Sequence, residues 1–366
     1  MTQSTESNKR VICAMSGGVD SSVAAKLLVD SGFDVMGVTM KLFDDDGVVL
    51  EEGSRTCCSL EDVEDARSVA FRLGIPYHVF NYRDSFGTYV VDKFCSSYLE
   101  GLTPNPCIDC NRYLKFGALQ QRREELGYDY VATGHYARRS YNPSTRRYLL
   151  KKGLDPKKDQ SYVLYHLTQS QLAHMLFPVG ELSKPEVREV ARSAGLANAE
   201  KLESQDICFV PDGDYAGFIK RHTGQSFEPG PIVDESGKVL GTHAGLPCYT
   251  IGQRKGLGVA VGEPLFVLAK NARTNAITVG PASSAAFTRI YASEVNLVSV
   301  AAIEEPIRVQ AKANYRSCPK EATAHMEGKT LVVQLDEPVR AVAPGQSIVL
   351  YQDDVVVGGG TIERAE

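Results

Sequence analysis

Two cysteines in a rigid setting form the first candidate reactive site. The segment TPNPCIDCN, residues 103–111, places Cys107 and Cys110 in a Cys-x-x-Cys spacing directly before a run typical of a helix. A thiol near a helix N-terminus has a lowered pKa, so thiolate is available at neutral pH. A thioredoxin-like dithiol, half of a zinc site and two buried structural cysteines are the alternatives. A third cysteine, Cys208, follows a polar stretch much further along the chain.

A second segment could hold phosphate. AMSGGVDSS, residues 14–22, follows an apolar run that predicts a buried strand and precedes a run that predicts a helix ending at Gly32. Glycines let the backbone approach an anion closely, and the N–H groups at a helix N-terminus attract negative charge. The segment lacks the lysine of a Walker A loop. A strand–helix junction that binds no ligand is the alternative. Because six positions of this loop have specific residue types at a strand–helix boundary, we favour nucleotide binding.

The elements that must position these residues alternate between strand and helix. Strand and helix patterns succeed each other at residues 33–40, 59–74, 77–80, 85–99 and 128–133. This alternation predicts an α/β domain with a doubly wound parallel sheet, whose ligands bind at the carboxyl ends of the strands. The glycine loop and Gly134-His135 both fall at such ends. A capping box at Ser183 predicts a further helix that ends at Gly195.

The second half of the chain has a different pattern of predicted secondary structure. Short β-type runs separated by turns replace the alternation after about residue 210. They predict a small central domain followed by a C-terminal β-barrel. The predicted domain bounds are 1–210, 211–285 and 286–366.

Charge and composition narrow the class of protein. The 366-residue chain has a net charge of −5, which argues against indiscriminate nucleic-acid binding. Residues 112–158, however, hold 12 Lys and Arg, many in doublets, against 4 Asp and Glu, so this segment carries +8. This segment either binds RNA phosphates or forms a solvent-exposed surface without a ligand. Nine cysteines without a disulfide framework suit a reducing cytosol, and no run predicts a signal peptide or a membrane span. We therefore expect a cytoplasmic protein.

Taken together, the motifs resemble those of one family. SGGVDSS, TPNPCIDCN, ATGHYA (132–137), KDQSY (158–162), SQDICF (204–209) and GQRKGLG (252–258) are similar, in this order, to segments of bacterial-type tRNA-specific 2-thiouridylases. That family belongs to the PP-loop ATP pyrophosphatase superfamily, and the similarity covers essentially the whole chain. It implies an adenine-nucleotide α-hydrolase-like domain, a central domain and a β-barrel. It also implies ATP-dependent replacement of the C2 oxygen of a wobble uridine by sulfur.

The resemblance assigns roles to individual residues. Cys110 matches the family's nucleophile, and Cys208 matches the cysteine that carries the persulfide sulfur. The positions that would hold ATP are Ala14, Met15, Ser16, Gly17, Gly18, Val19, Asp20, Ser21, Met40 and Gly134. The positions that would lie at the target base or elsewhere on the tRNA are Asn105, Pro106, Cys107, His135, Lys158, Asp159, Gln160, Tyr315, Arg316 and Gln346.

The chemistry implied by the resemblance suits these residue types. Transfer of AMP from ATP, with Mg²⁺, makes the uridine oxygen a better leaving group, while the PP-loop stabilises pyrophosphate. Attack by Cys110 on a Cys208 persulfide would leave a Cys110–Cys208 disulfide; release of sulfide for attack on the base is the other route. The target base must leave its stack to be reached. The implied partners are tRNA and a sulfur-donor protein (a cysteine desulfurase or sulfur carrier), with the chain acting as a monomer.

Other functions and one departure from the family pattern stay open. Another PP-loop adenylating ligase or amidotransferase, or an RNA-binding protein without turnover, would leave the paired cysteines unused. Relatives carry aspartate at the position of Cys107, whereas Asp109 lies at a different offset. Cys107 either performs the aspartate's task or has another. With Cys110 and Cys208 it could ligate an iron–sulfur cluster, an alternative that we place behind the persulfide route.

Overall fold

The computed structural model describes residues 9–43, 60–201, 207–259 and 262–366. The predicted start of the helix at residue 59 and the first three residues of the SQDICF motif lie outside these ranges. Within them, no helix is long and apolar enough to cross a membrane.

The strands, in chain order, are β1 (Arg10–Ala14), β2 (Asp34–Lys41), β3 (Tyr77–Asn81), β4 (Tyr130–Ala132), β5 (Ala137–Asn142), β6 (Arg147–Lys152), β7 (Met175–Leu176), β8 (Gly230–Val233), β9 (Val239–His243), β10 (Phe266–Asn271), β11 (Ala276–Gly280), β12 (Ala286–Leu297), β13 (Ile307–Lys312), β14 (Lys320–Glu327), β15 (Thr330–Arg340), β16 (Ser347–Gln352) and β17 (Val355–Ala365).

The helices are α1 (Val19–Asp30), α2 (Leu60–Leu73), α3 (Arg83–Phe86), α4 (Lys93–Leu99), α5 (Pro106–Asp109), α6 (Leu119–Glu125), α7 (Gln169–Ala173), α8 (Lys184–Ser193) and α9 (Tyr215–Thr223). Two π-helical segments complete two longer helices: Gly87–Asp92 joins α3 to α4, and Cys110–Ala118 joins α5 to α6. Such segments are rare and occur frequently at functional sites.

The N-terminal domain contains a parallel sheet with the strand order β3-β2-β1-β4-β7. Side chains of β1 alternate between two hydrophobic cores: Ile12 belongs to one, and Val11 and Cys13 belong to the other. Helices therefore cover both faces of the sheet, and the predicted doubly wound α/β fold is confirmed. Strand β7 was not predicted, because a two-residue strand leaves no period to detect.

The C-terminal barrel consists of six antiparallel strands in the order β12-β15-β14-β13-β16-β17, and it is closed by pairing of β12 with β17. This confirms the predicted β-barrel. Between the two larger units, β10-β11-β8-β9 form a separate sheet around a small core that includes Ile232, Val267 and Ile277.

The hairpin of β5 and β6 extends the barrel sheet, although it belongs to the N-terminal half of the chain. Strand β6 pairs with β17 at Lys151 and Val355. The Asp354 carboxylate accepts hydrogen bonds or ion pairs from Arg138 at 2.9 Å and from Lys151 at 3.1 Å. Burial would raise the pKa of Asp354, but Lys151 and Arg138 outweigh it and hold the pKa below its usual value. Arg138 and Lys151 of the basic segment thus join the hairpin to the last turn of the barrel, a role that neither sequence interpretation included.

We expect this contact to contribute to stability. A glutamate at position 151 (Lys151→Glu) would face Asp354, which should cost about 1 kcal/mol because both groups are partly solvated. Lys151→Gln, which removes the ion pair without adding a negative charge, should lose less stability than Lys151→Glu. Thermal unfolding of the two variants and the wild type tests this. A melting temperature for Lys151→Glu equal to that of the wild type would contradict the expectation.

Candidate active site

The loop between β1 and α1 is shaped by close backbone contacts. Gly17 has a φ of +73°, and a Cβ at this position would lie 2.4 Å from the main-chain oxygen of Asp62 in α2. A Cβ on Gly134, which follows β4, would lie 2.6 Å from the nitrogen of Ser21. Glycine is therefore required at both positions, and the two predicted nucleotide segments are brought together at the carboxyl edge of the sheet.

Hydrogen bonds within the loop fix its conformation. The Ser21 hydroxyl accepts from the nitrogen of Ser16 at 3.2 Å and donates to the Gly18 carbonyl at 3.0 Å. Ser22 donates to the same carbonyl at 3.0 Å, and the Thr39 hydroxyl donates to the Met15 carbonyl at 2.7 Å. Among described residues, no side chain caps the N-terminus of α1. The helix dipole and its first N–H groups therefore face a pre-shaped loop that suits an anion.

Three side chains that the sequence did not reveal support this loop. The Asp20 carboxylate accepts from the Tyr136 hydroxyl at 2.7 Å and from Nζ of Lys184 at 2.7 and 2.9 Å. Nδ2 of Asn198 donates to the Gly17 carbonyl and to the Ser22 hydroxyl, both at 2.8 Å. The capping box at Ser183 predicted the helix that carries Lys184, but nothing in the local sequence indicates a contact with residue 20.

The Cys-x-x-Cys segment begins a helix earlier than the sequence indicated. The Asn105 side chain caps the helix by accepting from the nitrogen of Cys107 at 3.2 Å, and Pro106 occupies its first turn. Cys107 is exposed, Cys110 is buried and Cys208 is half-buried. Both Cys110 and Cys208 pack against the same hydrophobic core. Two cysteines that are far apart in sequence therefore contribute to one hydrophobic core, which extends from the sheet to the barrel.

Asp109 is a buried carboxylate held by an ion pair. Its side chain is buried and lies 2.7 Å from Nζ of Lys93. Burial raises the pKa of Asp109 more than Lys93 and Arg112 lower it. In the described ranges, no group of three His, Cys, Asp or Glu side chains could hold a metal ion.

The predicted tRNA positions lie around this region in two groups. Nε2 of Gln346 in the barrel donates to the Thr103 carbonyl at 2.8 Å, which links the barrel to the segment of Asn105 and Cys107. The rings of Tyr315 and Tyr162 lie 5.8 Å apart, which places the barrel beside the KDQSY segment. Tyr315 and Arg316 are exposed, and Lys158 is half-buried.

Three of the other predicted tRNA positions serve the fold. Asp159 accepts from the nitrogen and the hydroxyl of Ser161, each at 3.0 Å. Gln160 accepts from the nitrogen of Tyr136 at 2.9 Å. His135 is buried, with Nδ1 2.8 Å from the Thr133 hydroxyl, and burial lowers its pKa well below the usual value. These side chains hold the loops near Asp20 in place.

A second histidine, His166, lies in the same core. Phe116 lies between the two imidazoles, with its ring centroid 5.8 Å from His135 and 6.2 Å from His166. Neither ring nitrogen of His166 reaches a hydrogen-bond partner among the described residues. Burial and, to a lesser extent, Arg112 lower the pKa of His166 to about 3. It is therefore neutral in the folded protein over the physiological pH range.

We expect His166 to make the protein sensitive to acid. Unfolding exposes the imidazole, whose pKa then returns to about 6.5, so the unfolded state binds more protons below that pH. The free energy of unfolding is therefore highest above pH 6.5, and at lower pH it decreases by up to about 1.4 kcal/mol per pH unit. His166→Leu should reduce the difference in unfolding free energy between pH 7.5 and 5.5 by roughly this amount. Urea unfolding at both pH values tests this, and an unchanged difference would contradict it.

Comparison with known families agrees with this fold. Family models match three successive parts of the chain: "tRNA methyl transferase HUP domain" over residues 9–212, "tRNA methyl transferase PRC-barrel domain" over 216–281 and "Aminomethyltransferase beta-barrel domain" over 287–362. The first model alone spans more than half of the chain. The protein thus belongs to a class of tRNA-modification proteins with a HUP domain followed by two β domains.

Individual relatives define the family within that class. The tRNA-specific 2-thiouridylase MnmA of Clostridioides difficile (strain 630) is 51% identical over 359 residues, 98% of this chain and 99% of the relative. The protein of the same name from Moorella thermoacetica is 52% identical over 351 residues, 96% and 98% of the two chains. The chain belongs to the tRNA-specific 2-thiouridylase family. The family models are named after tRNA methyl transferases, but the relatives that match nearly the whole chain are 2-thiouridylases, so they define the family.

Proposed function

We propose that this protein thiolates C2 of a uridine in tRNA at the expense of ATP, the wobble uridine being the target that the sequence motifs imply. The observation that carries this is a pre-shaped phosphate loop together with Cys110 and Cys208 on one core. These features occur in a chain that is half identical to tRNA-specific 2-thiouridylases over nearly its full length. A ligase or amidotransferase would leave the two cysteines without a task.

ATP would bind at the carboxyl edge of the parallel sheet. The backbone of residues 14–21 would surround its phosphates, with Met40 and Gly134 completing the site. Asp20 is a carboxylate beside this loop, and one carboxylate with substrate phosphates is a common setting for Mg²⁺. When bound, the ion would neutralise phosphate charge. Lys184 and Tyr136 hold the Asp20 carboxylate in position beside the loop.

Sulfur would reach the uridine through the two cysteines. The Cys110 thiolate attacks Sγ of a Cys208 persulfide, which forms a Cys110–Cys208 disulfide and releases the outer sulfur as hydrosulfide. Hydrosulfide then attacks C2 and displaces AMP, which carries away the original C2 oxygen. A thiol reductant restores both cysteines, and a cysteine desulfurase or sulfur carrier reloads Cys208.

The tRNA would lie across the two groups of predicted contacts. Tyr315 and Arg316 offer an exposed ring and a cation, and Lys158 adds a cation beside them. Asn105, Pro106 and Cys107 would lie at the flipped base. Asp159, Gln160, His135 and Gln346 would act chiefly by holding these surfaces together, because each already bonds to protein. The protein would act as a monomer in the cytoplasm.

Nucleoside analysis tests the proposal. The protein is incubated with ATP, sulfide and tRNA that lacks 2-thiouridine, and the digested tRNA is examined by mass spectrometry. We expect 2-thiouridine only when ATP is present, and none when α,β-methylene-ATP replaces it. Release of AMP with a small-molecule acceptor, without any thiolated nucleoside, would support the ligase alternative instead.

A further inference from the structure

Two stacked tyrosines lie beside Cys110, on a surface to which none of the predicted roles applies. Tyr89 belongs to the first π-helical segment and Tyr113 to the second, which Cys110 begins. Their ring centroids are 5.2 Å apart and the ring planes differ by 21°. Tyr89 is nevertheless 50% exposed. Tyr113 stacks on one face of the Tyr89 ring, and half of the Tyr89 surface remains open to solvent.

Two cations hold the inner ring of this stack. Nζ of Lys93 lies 5.6 Å from the Tyr113 ring centroid, and the Arg112 guanidinium lies 5.3 Å from it. Lys93 is anchored by Asp109 at 2.7 Å, and Arg112 by Glu294 of the barrel at 2.9 Å. Tyr113 thus contacts two cations that are themselves held by carboxylates before any ligand binds, so little conformational entropy is lost when a further ring stacks on the pair.

One of these anchors has an unusual backbone. Glu294 has a φ of +46°, in the left-handed region that a non-glycine residue rarely adopts. It lies in β12 where the pairing with β17 shifts register between Ser293 and Asn296. A bulge of this kind redirects a side chain. Here it directs Glu294 to Arg112, two residues after Cys110, so the barrel helps to position the helix that carries the proposed nucleophile.

We propose that the outer face of Tyr89 stacks on an unpaired tRNA base adjacent to the target uridine. The proposal rests on the proposed function. When the uridine leaves its stack, its neighbours lose a stacking partner, and aromatic side chains are the usual replacement in single-stranded RNA recognition. A flat ring face that continues an existing stack fits a base better than the irregular surface of a protein.

The experiment uses an anticodon stem-loop with 2-aminopurine on either side of the target uridine, because stacking quenches its fluorescence. We expect quenching by the wild-type protein at one of the two positions. Tyr89→Ala should abolish it and weaken binding roughly 5- to 150-fold, whereas Tyr89→Phe should retain both. Tyr141 is a matched control, since it is 51% exposed and contacts Tyr148 at 5.0 Å on the β5–β6 hairpin. Tyr141→Ala should bind as the wild type does.

Several results would overturn the proposal. They are the absence of quenching by the wild type at both positions, unchanged binding by a folded Tyr89→Ala, or an equal loss in Tyr141→Ala. If Tyr89→Ala binds RNA normally but loses thiolation only when a donor protein supplies the sulfur, the surface binds protein instead. Failure of the proposed function would look different, because the wild type would then form no 2-thiouridine from ATP and sulfide.

Discussion

When a cysteine desulfurase supplies the sulfur as a persulfide, serine at position 110 or 208 should lower sulfur transfer to tRNA roughly 10³-fold or more, while binding of ATP and tRNA is retained. A hydroxyl can neither carry a persulfide nor attack one at neutral pH, so each substitution removes a step that nothing else replaces. Cys318→Ser is the control, because Cys318 is exposed on the barrel. It should keep full activity. Thiolation by folded Cys110→Ser or Cys208→Ser at the wild-type rate would contradict the proposed roles.

The same variants distinguish the persulfide route from a metal cluster. After one turnover with persulfide sulfur from a cysteine desulfurase and without reductant, the wild type should accumulate a Cys110–Cys208 disulfide, which peptide mass spectrometry detects. Cys107→Ser should keep part of its activity, because a hydroxyl can still form a hydrogen bond where the thiol does. If a cluster is required, all three serine variants should fail alike and anaerobically purified protein should contain iron. An iron-dependent enzyme that never forms the disulfide would refute the persulfide route.

Methionine at position 184 should raise the KM for ATP roughly 10- to 100-fold. Lys184→Met leaves the Asp20 carboxylate uncompensated next to the bound polyphosphate, where it repels negative charge. Loss of one partner of a fully buried pair costs about 3–5 kcal/mol, but the Asp20 side chain is 29% exposed, so we expect about half of that. Lys26→Met is the control, because Lys26 pairs with Asp30 further along α1, the helix that also carries Asp20. Initial rates of pyrophosphate release measure the effect, and an unchanged KM would contradict this account of the loop.

The features predicted well from sequence are those that neighbouring residues determine. The strand, the glycine loop and the helix around Ser16 to Ser22 follow one another in the chain, and their types alone indicate a phosphate site. The capping box at Ser183 is equally local and is present in the structure. The alternation of strand and helix was sufficient to predict the doubly wound sheet.

Contacts between distant residues could not be predicted in this way. Lys184 reaches Asp20 across 164 positions, and Asn198 reaches Gly17 across 181. The basic doublets of β5 and β6 resembled an RNA surface because their acidic partner, Asp354, is supplied by the far end of the chain. The Tyr89–Tyr113 stack depends on two π-helical segments, and no periodicity in the sequence indicates such segments. Only tertiary packing decides these features.

The most direct test of the account follows one oxygen atom. The target uridine is labelled with ¹⁸O at C2 in a tRNA transcript, and the protein is supplied with ATP and sulfide. Adenylation of that oxygen followed by its displacement predicts AMP that carries the ¹⁸O, in an amount equal to the 2-thiouridine formed. Mass spectrometry of the AMP and the nucleosides measures both products. Unlabelled AMP would contradict the account, because ATP would then have been cleaved by water or used on another acceptor.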